Sequence, residues 1–504
     1  MTEQRLTFGT AGLRGPMRDG PGGMNVDTVT TATWAVASVL KDRCLGGSTV
    51  VVGRDARHNS DDFALATAEV FAAEGFSVVL LPDPAPTPVV AFVTRGTRAA
   101  AGVQITASHN PPADNGYKVY LDGGLQIVSP SDREIEAAMG RAPSEIAREE
   151  VTPANTDLVH QYVRRAASVR RATGDVRVAL TAMHGVGGEV ALLALRMAGV
   201  TDVHAVGEQF DPDPDFPTVA FPNPEEAGAT DLLLALAADV DAEIAIALDP
   251  DADRCAVGIP TATGWRMLSG DETGWLLGDY VLSQIDPGEV MASSVVASTV
   301  VSSRMLASIA AHHGAQHVET LTGFKWLARA DAGMAGSTLV YAYEEAIGHC
   351  VDPAAVRDKD GISAAILACD LVSALRADGR TLTDALDALA LRHGVHVSAA
   401  VSVPANATLM DRLRAAPPDR LGGEAIAVED LLDRRGQQRT DAILYAGETV
   451  RVAVRPSGTE PKVKAYLEIH LPRRDDVEVA SAEANALLDG LMADVVDLLQ
   501  RGPN

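Results

Sequence analysis

Ser108 stands in Thr106-Ala107-Ser108-His109-Asn110-Pro111-Pro112, directly after the apolar run Ala101-Gly102-Val103-Gln104-Ile105. The run predicts a buried strand, so the hydroxyl sits where a strand gives way to a loop, a usual place for reactive groups in α/β proteins. His109 is adjacent, and Pro111-Pro112 stiffens the loop. No Gly-x-Ser-x-Gly elbow is present, so an ordinary hydrolase triad is not indicated. A serine of this kind is commonly a turn cap. Three further loops make it a candidate for chemistry.

The first is Asp249-Pro250-Asp251-Ala252-Asp253-Arg254, after an expected strand from Glu243 to Leu248. Three carboxylates at alternate positions of an extended segment point to one side. They repel unless a cation lies among them, and carboxylate oxygen suits Mg²⁺, Mn²⁺ or Ca²⁺. An EF-hand is excluded because Arg254 and Pro260 occupy the positions of its Gly and Glu. The second is Glu344-Glu345, after an apolar strand and flanked by Thr322-Gly323-Phe324-Lys325-Trp326 and Arg357-Asp358-Lys359-Asp360-Gly361. Neighbours on a strand face opposite ways, so at most one of the two glutamates is expected to meet a ligand directly. The third is Arg455-Pro456-Ser457-Gly458-Thr459-Glu460-Pro461-Lys462, in which a guanidinium, hydroxyls, a glycine and an ammonium make an anion cradle.

Composition sharpens these readings. Only six of the 42 basic residues are lysine: Lys41, Lys118, Lys325, Lys359, Lys462 and Lys464. Lysine at a loop is therefore a departure from habit, and unlike arginine it can give up its proton. The formal net charge of -26 argues against nucleic-acid or anionic-membrane partners, so an anionic substrate needs a local positive cluster. No apolar run is long enough to span a membrane, and Met1-Thr2-Glu3-Gln4-Arg5 lacks a signal-peptide core. Four scattered cysteines show no metal or redox spacing; a reduced, cytoplasmic setting is expected.

The elements that must position these groups follow from periodicity. With 504 residues the chain has room for three or four domains. Residues 8–18 read as a flexible loop presenting Arg14, because no strand precedes their glycines and Pro16 spoils a helix start. Helix Asp27 to Leu40, strand Thr49 to Val52, helix Asp61 to Ala73 and strand Ser77 to Leu81 make a βαβ unit. Asn115-Gly116 predicts a tight turn just before a strand carrying Lys118. Expected domains are 1–172, 173–285, 286–398 and 399–504. The last carries a strand from Thr449 to Val454, a return strand with Val463, Ala465, Leu467, Ile469 and Leu471 on one face, and a helix over 477–499.

The ordered set Gly-Thr-Ala-Gly-Leu-Arg, Thr-Ala-Ser-His-Asn-Pro, Asp-Pro-Asp-Ala-Asp-Arg, Glu-Glu-Ala and Arg-Pro-Ser-Gly-Thr-Glu resembles the α-D-phosphohexomutase superfamily over nearly the whole chain. Met183-His184-Gly185-Val186-Gly187, Phe221-Pro222-Asn223-Pro224-Glu225-Glu226 and Lys359-Asp360-Gly361 resemble its phosphoglucomutase 2 and phosphopentomutase branch. The resemblance implies an α/β protein of four domains, three related α/β units and a smaller C-terminal α+β unit, around a central cleft. It implies that Ser108 carries a phosphoryl group, and that Asp249, Asp251 and Asp253 hold Mg²⁺ together with that phosphoserine. Lys118, His109 and Arg14 join the catalytic set, with Lys118 as general acid/base. Thr322, Gly323, Lys325, Glu344, Glu345 and Lys359 are expected at the sugar, and Arg455, Ser457, Gly458, Thr459 and Lys462 at the phosphate that is not transferred. Arg254 adjoins the metal. Ala346 stands where glucose-type relatives carry a serine.

The activity implied is a phosphosugar mutase of phosphoglucomutase or phosphopentomutase type, activated by a sugar bisphosphate and acting as a monomer or small homo-oligomer. The rivals are a phosphomannomutase and, in another class, a phosphatase that hydrolyses the same phosphoserine. A second phosphate site favours the mutases, since simple hydrolysis has no need of one. The residues suit the chemistry independently: phosphoryl transfer asks for an acceptor oxygen, charge neutralisation and positioning.

Overall fold

The computed structural model describes residues 5–9, 12–121, 123–154, 157–285, 293–406, 408–457 and 462–500. Three sheets repeat one topology. Each starts with a central parallel strand, adds an edge strand after a helix, returns to the middle after a second helix, and closes with an antiparallel hairpin. In the first sheet these strands are Thr49–Arg54, Ser77–Leu80, Ala101–Ile105 and Asp114–Leu121. In the second they are Val178–Thr181, Val203–Ala205, Ile244–Leu248 and Cys255–Thr261. In the third they are Ser294–Thr299, Gln316–Thr320, Thr338–Glu344 and Gly348–Cys350. The central strands are near-continuous apolar runs, as strands covered on both faces must be.

The fourth sheet is wholly antiparallel, in the order Val395–Pro404, Lys462–Leu471, Val450–Pro456, Ile443–Ala446, Ala427–Asp430. The helix Val477–Gln500 packs on its first two strands. Val463, Ala465, Leu467, Ile469 and Leu471 are all buried, as the alternation requires. Among the described residues no helix is long and apolar enough to cross a membrane. Cys255, Cys350 and Cys369 are buried and Cys44 is exposed.

Two local expectations are corrected. The segment around Arg14 is not a loop: Leu13–Pro16 is an edge strand paired antiparallel with Asp114–Leu121, and Arg14 faces Gly116 across it. Asn115-Gly116 is not a turn but lies within that longer strand. A Cβ on Gly116 would stand 2.4 Å from the Thr106 carbonyl oxygen, so glycine is required by close approach, not by turning. Asn115 donates to the His58 carbonyl and to Ser60 Oγ, each at 3.0 Å, bolting the strand to the loop after Arg54.

Candidate active site

The repeated topology places the functional loops. Ser108 lies in the hairpin between Ala101–Ile105 and Asp114–Leu121, the aspartates between Ile244–Leu248 and Cys255–Thr261, and Glu345 between Thr338–Glu344 and Gly348–Cys350. Ser457 starts the hairpin loop of the fourth sheet. Equivalent hairpins of the three repeated sheets, and one hairpin of the fourth, meet around one cleft.

The serine loop is tightly set. Ser108 is 2% exposed and adopts φ +54°, a left-handed conformation that a residue with a Cβ adopts only when its surroundings impose it. Thr106 Oγ1 accepts the Ser108 N–H at 2.8 Å. Ser108 Oγ donates to Asp249 Oδ2 at 2.9 Å and lies 3.2 Å from His109 Nδ1. Burial, reinforced by Arg254 and Arg14, holds His109 well below the usual histidine range, so its imidazole is neutral.

The aspartate segment is not extended. Its chain turns at Ala252, φ +53°, where the Ala252 N–H donates to the Asp249 carbonyl at 2.8 Å. Convergence of the three carboxylates therefore comes from a turn and not from strand alternation. Ligand oxygens of all three lie within 4.8 Å of one another, and all three side chains are fully buried. Gly185 makes room for this turn, since a Cβ there would meet Pro250 Cα at 2.3 Å. Thr87, opening a helix beside the first sheet, donates its N–H to the Asp251 carbonyl at 2.9 Å and its Oγ1 to Asp251 Oδ2 at 2.5 Å.

Lys118 Nζ reaches Asp251 Oδ2 at 2.6 Å and Asp253 Oδ2 at 2.7 Å; Lys359 Nζ lies 3.3 Å from Asp253 Oδ2 and 3.8 Å from Glu344 Oε1. Burial opposes ionisation of Asp253, but Lys118, Lys359 and Arg254 overcome it and hold the carboxyl far down. Asp249 has neither lysine beside it: burial and the adjacent Asp251 and Asp253 push it well up, against the opposing pull of Arg254. Asp251 Oδ1 and Asp253 Oδ1 are buried without a hydrogen-bond partner among the described residues. A compact site with spare carboxylate oxygen suits a hard divalent cation. The Arg254 N–H donates to Asp249 Oδ1 at 3.0 Å, and its guanidinium lies 3.3 Å from Glu225.

Above these groups is a cavity of about 400 Å³. Arg14, Ser108 and His109 line it from the first unit and Arg254 from the second. Thr322, Gly323, Glu344, Glu345 and Lys359 line it from the third. Arg455 and Ser457 line it from the fourth. Both glutamates reach the wall, against the expectation that at most one would; Glu344 ends its strand and Glu345 lies in the turn after it, so strand alternation does not apply to the pair. Glu344 faces Lys359, whereas Glu345 Oε2 accepts from Thr299 Oγ1 and Ser302 Oγ at 2.9 Å. Lys359 is positioned by Asp360, which caps the helix Gly361–Ala377 through the N–H groups of Ile362 and Ser363.

Besides Asp249, Asp251 and Asp253, which are fully buried and not part of the wall, three expected residues do not line the cavity. Lys118 lies beneath its floor, with its ammonium on Asp251 and Asp253 and not on Ser108 Oγ. Lys325 sits on the short helix Phe324–Leu327, with Asp132 and Arg329 as its charged neighbours. Lys462 is exposed at the start of its strand, where its carbonyl accepts the Ser457 N–H at 2.8 Å. Gly458 and Thr459 lie outside the described residues. Several wall residues were not among the expected site residues, Lys464 and Glu225 with them. Lys464 is the cross-strand partner of Arg455, and the strand alternation that places Tyr466 on the same face could have found it. Glu225 comes from a loop without regular structure that the sequence marked only within Phe221-Pro222-Asn223-Pro224-Glu225-Glu226, and its approach to Arg254 is a contact between distant segments.

Comparison with known proteins agrees with this construction. Residues 5–145, 159–262 and 269–392 match the phosphoglucomutase/phosphomannomutase alpha/beta/alpha domains I, II and III, and residues 410–486 match the C-terminal domain of that family. A Haemophilus influenzae protein named a probable phosphomannomutase is 41% identical, over 92% of this chain and 96% of its own length. The phosphopentomutase of Mus musculus is 36% identical, over 93% of this chain and 84% of its own. The crystal structure of a phosphoglucomutase/phosphomannomutase family protein from Burkholderia thailandensis superposes with a TM-score of 0.75 at 22% identity, covering 99% of this chain and 98% of the other. Four matched domains in order, with their hairpin loops around one cleft, show that the chain belongs to the phosphoglucomutase/phosphomannomutase family of the α-D-phosphohexomutase superfamily and is an intramolecular phosphotransferase.

Proposed function

We propose that the protein interconverts a sugar 1-phosphate with its 6-phosphate, or a pentose 1-phosphate with its 5-phosphate, through a phosphoserine at Ser108 and a bisphosphate intermediate. One observation carries the reading: Ser108 Oγ is hydrogen-bonded to Asp249 of a buried carboxylate triplet and lines one cleft with Arg455, Ser457 and Lys464, which come from the fourth sheet. A transferring oxygen and a separate anion cradle are what a mutase needs and a phosphatase does not. The relatives named phosphopentomutase and phosphomannomutase support both pentose and hexose phosphates as substrates to test.

In the forward half-reaction the bond between phosphorus and Ser108 Oγ breaks as a sugar hydroxyl oxygen bonds to the same phosphorus, and the proton of that hydroxyl ends on the freed Oγ. The bisphosphate then turns, and its other phosphoryl group returns to Ser108. On return the Oγ–H proton must leave, and neutral His109 Nδ1, 3.2 Å from Oγ, is a base beside it. Asp249, Asp251, Asp253 and Ser108 fit Mg²⁺, which when bound would offset charge on the transferred phosphoryl oxygens. Lys118 and Lys359 keep Asp253 ionised, and Glu344 meets sugar hydroxyls. Arg455 and Ser457 hold the spectator phosphate by charge-assisted hydrogen bonds that do not depend on which carbon bears it. A sugar bisphosphate would reload dephosphorylated enzyme, and a cytoplasmic location fits substrates of this kind.

Parallel coupled assays with glucose, mannose, ribose and deoxyribose phosphates, each with Mg²⁺ and a trace of bisphosphate, test the reading. Conversion of at least one is expected. Release of inorganic phosphate as the sole product would replace it with the phosphatase.

A further inference from the structure

The loop between Thr49–Arg54 and the helix Ser60–Ala73 looks in sequence like a plain connection. In the structure its Arg57 is 4% exposed and grips the serine loop from beneath. Nη2 donates to the carbonyls of Ser108 and Asn110, both at 2.6 Å. Nη1 donates to the carbonyls of Pro111 at 2.8 Å and Asp114 at 3.2 Å. Nε lies 3.3 Å from Asp55 Oδ2, and Asp55 Oδ1 is itself held by Ser60 Oγ at 2.7 Å and the Arg57 N–H at 3.0 Å. Phe216, from the Asp- and Pro-rich segment beside the second sheet, lies over the guanidinium with its ring centre 5.0 Å from Cζ.

A planar fork of five N–H donors can hold four carbonyls spread over seven residues; a lysine ammonium cannot span them. The loop needs holding, because Ser108 has φ +54° and no sheet ladder runs through it. Its amide and hydroxyl have their own partners, so the guanidinium is what fixes its carbonyl side.

We propose that Arg57 is the positioning residue of the phosphoryl carrier, fixing the backbone from Ser108 to Asp114 so that Oγ stays aimed at the aspartates, and that Phe216 locks Arg57 in that pose from the second unit. The inference rests on the mutase reading, because it gives the orientation of Oγ a catalytic consequence. Arg57 touches neither reacting atoms nor the wall that binds the spectator phosphate, so its loss is predicted to act on turnover and not on substrate affinity.

The test compares R57K, R57A and Phe216→Leu with the unaltered enzyme by steady-state kinetics, thermal unfolding and intact-mass measurement of phosphate loading from glucose 1,6-bisphosphate. R57K is expected to lose about 10²-fold in kcat, the cost of misplacing a reacting group by about 1 Å, with KM within twofold. R57A is expected to fall further and to recover in part on addition of guanidinium, which a general loss of folding would not do. Phe216→Leu, which leaves every hydrogen bond of Arg57 intact, is expected to lower kcat by about 3- to 10-fold and keeps the test available if Arg57 variants fail to fold. R57K with kcat within threefold of the unaltered enzyme overturns the role of Arg57. A KM rise with unchanged kcat overturns it as well, and an unchanged Phe216→Leu overturns the lock. Failure of the unaltered enzyme to take phosphate on Ser108 would instead overturn the mutase reading on which the proposal stands.

Discussion

The Ser108 end of the cleft belongs to a unit that shares one apolar cluster with the second and third units, although Val103 and Ile105, just before Ser108, pack in a cluster of the first unit alone. The Arg455 end belongs to a unit with no member in that shared cluster. Val51 and Val90 of the first unit, Leu180 and Ile246 of the second, and Val296 and Tyr341 of the third share one buried cluster. Val452, Leu467 and Leu491 belong to a separate one. The fourth unit meets the third through a small apolar patch around Val300 and Leu444 and through charged groups. Arg451 donates to the Val300 carbonyl at 2.6 Å and the Ser302 carbonyl at 3.1 Å. Glu468 accepts from Ser303 Oγ at 2.6 Å, and from the Arg304 N–H and Nε at 2.9 Å. Interlocked apolar side chains resist sliding; a junction with few apolar contacts can reorient as a body. Transfer asks for sub-ångström placement, while holding a spectator phosphate from two substrate orientations asks for tolerance.

If the two ends divide the work in this way, variants should divide too. The largest effect is expected from Ser108→Ala: turnover falls by at least about 10³-fold, while phosphosugar binding measured by calorimetry stays within threefold. Residual turnover near the unaltered rate would remove the carrier from the Ser108 end. Next is Asp251→Asn, which takes charge from Lys118 and a ligand from the metal site. A loss of about 10²- to 10³-fold in kcat is expected. Activity of the unaltered enzyme should also vanish with EDTA and return with Mg²⁺; activity that survives chelation contradicts the metal assignment.

Arg455→Ala probes the other end. Losing a charged hydrogen bond of about 1.5–3 kcal/mol should raise KM roughly 10- to 100-fold for both the 1-phosphate and the terminal phosphate, with kcat within a few-fold. An effect confined to one isomer would break the claim that the cradle serves both orientations.

The smallest effect concerns the junction. Asp271 accepts from the Ser303 N–H, Tyr343 OH and Ser398 Oγ, yet burial raises its carboxyl from 3.8 to about 7. Between those values the folded protein keeps a proton that the unfolded chain has released, so this group's contribution to stability is lost as pH rises from about 4 to 7. Asp271→Asn should flatten that part of the melting-temperature profile by a few degrees and leave KM at pH 7 nearly unchanged. A slope as steep as in the unaltered protein would show that another group titrates there.

The residues proposed for the chemistry could be picked out in the sequence, because each sits at a break in local pattern. Ser108 ends an apolar strand, the aspartates end another, and Arg455 ends a third; strand period and turn chemistry are written among neighbours in the chain. What those residues face was not legible. Lys118 meets Asp251 and Asp253 across 133 and 135 residues because the hairpins of two sheets meet at their tips. The turn at Ala252 replaced an expected extended segment, since packing against Gly185 and Thr87 outweighs a local preference. Arg57 seemed an ordinary loop arginine until folding set four carbonyls around it. By itself the sequence determined the strand ends, the loop chemistry and the order of the units, all short-range consequences of side-chain type and backbone geometry. Only the tertiary structure decided which charges share a site and which end of the cleft is rigid, because those depend on burial between segments far apart in the chain.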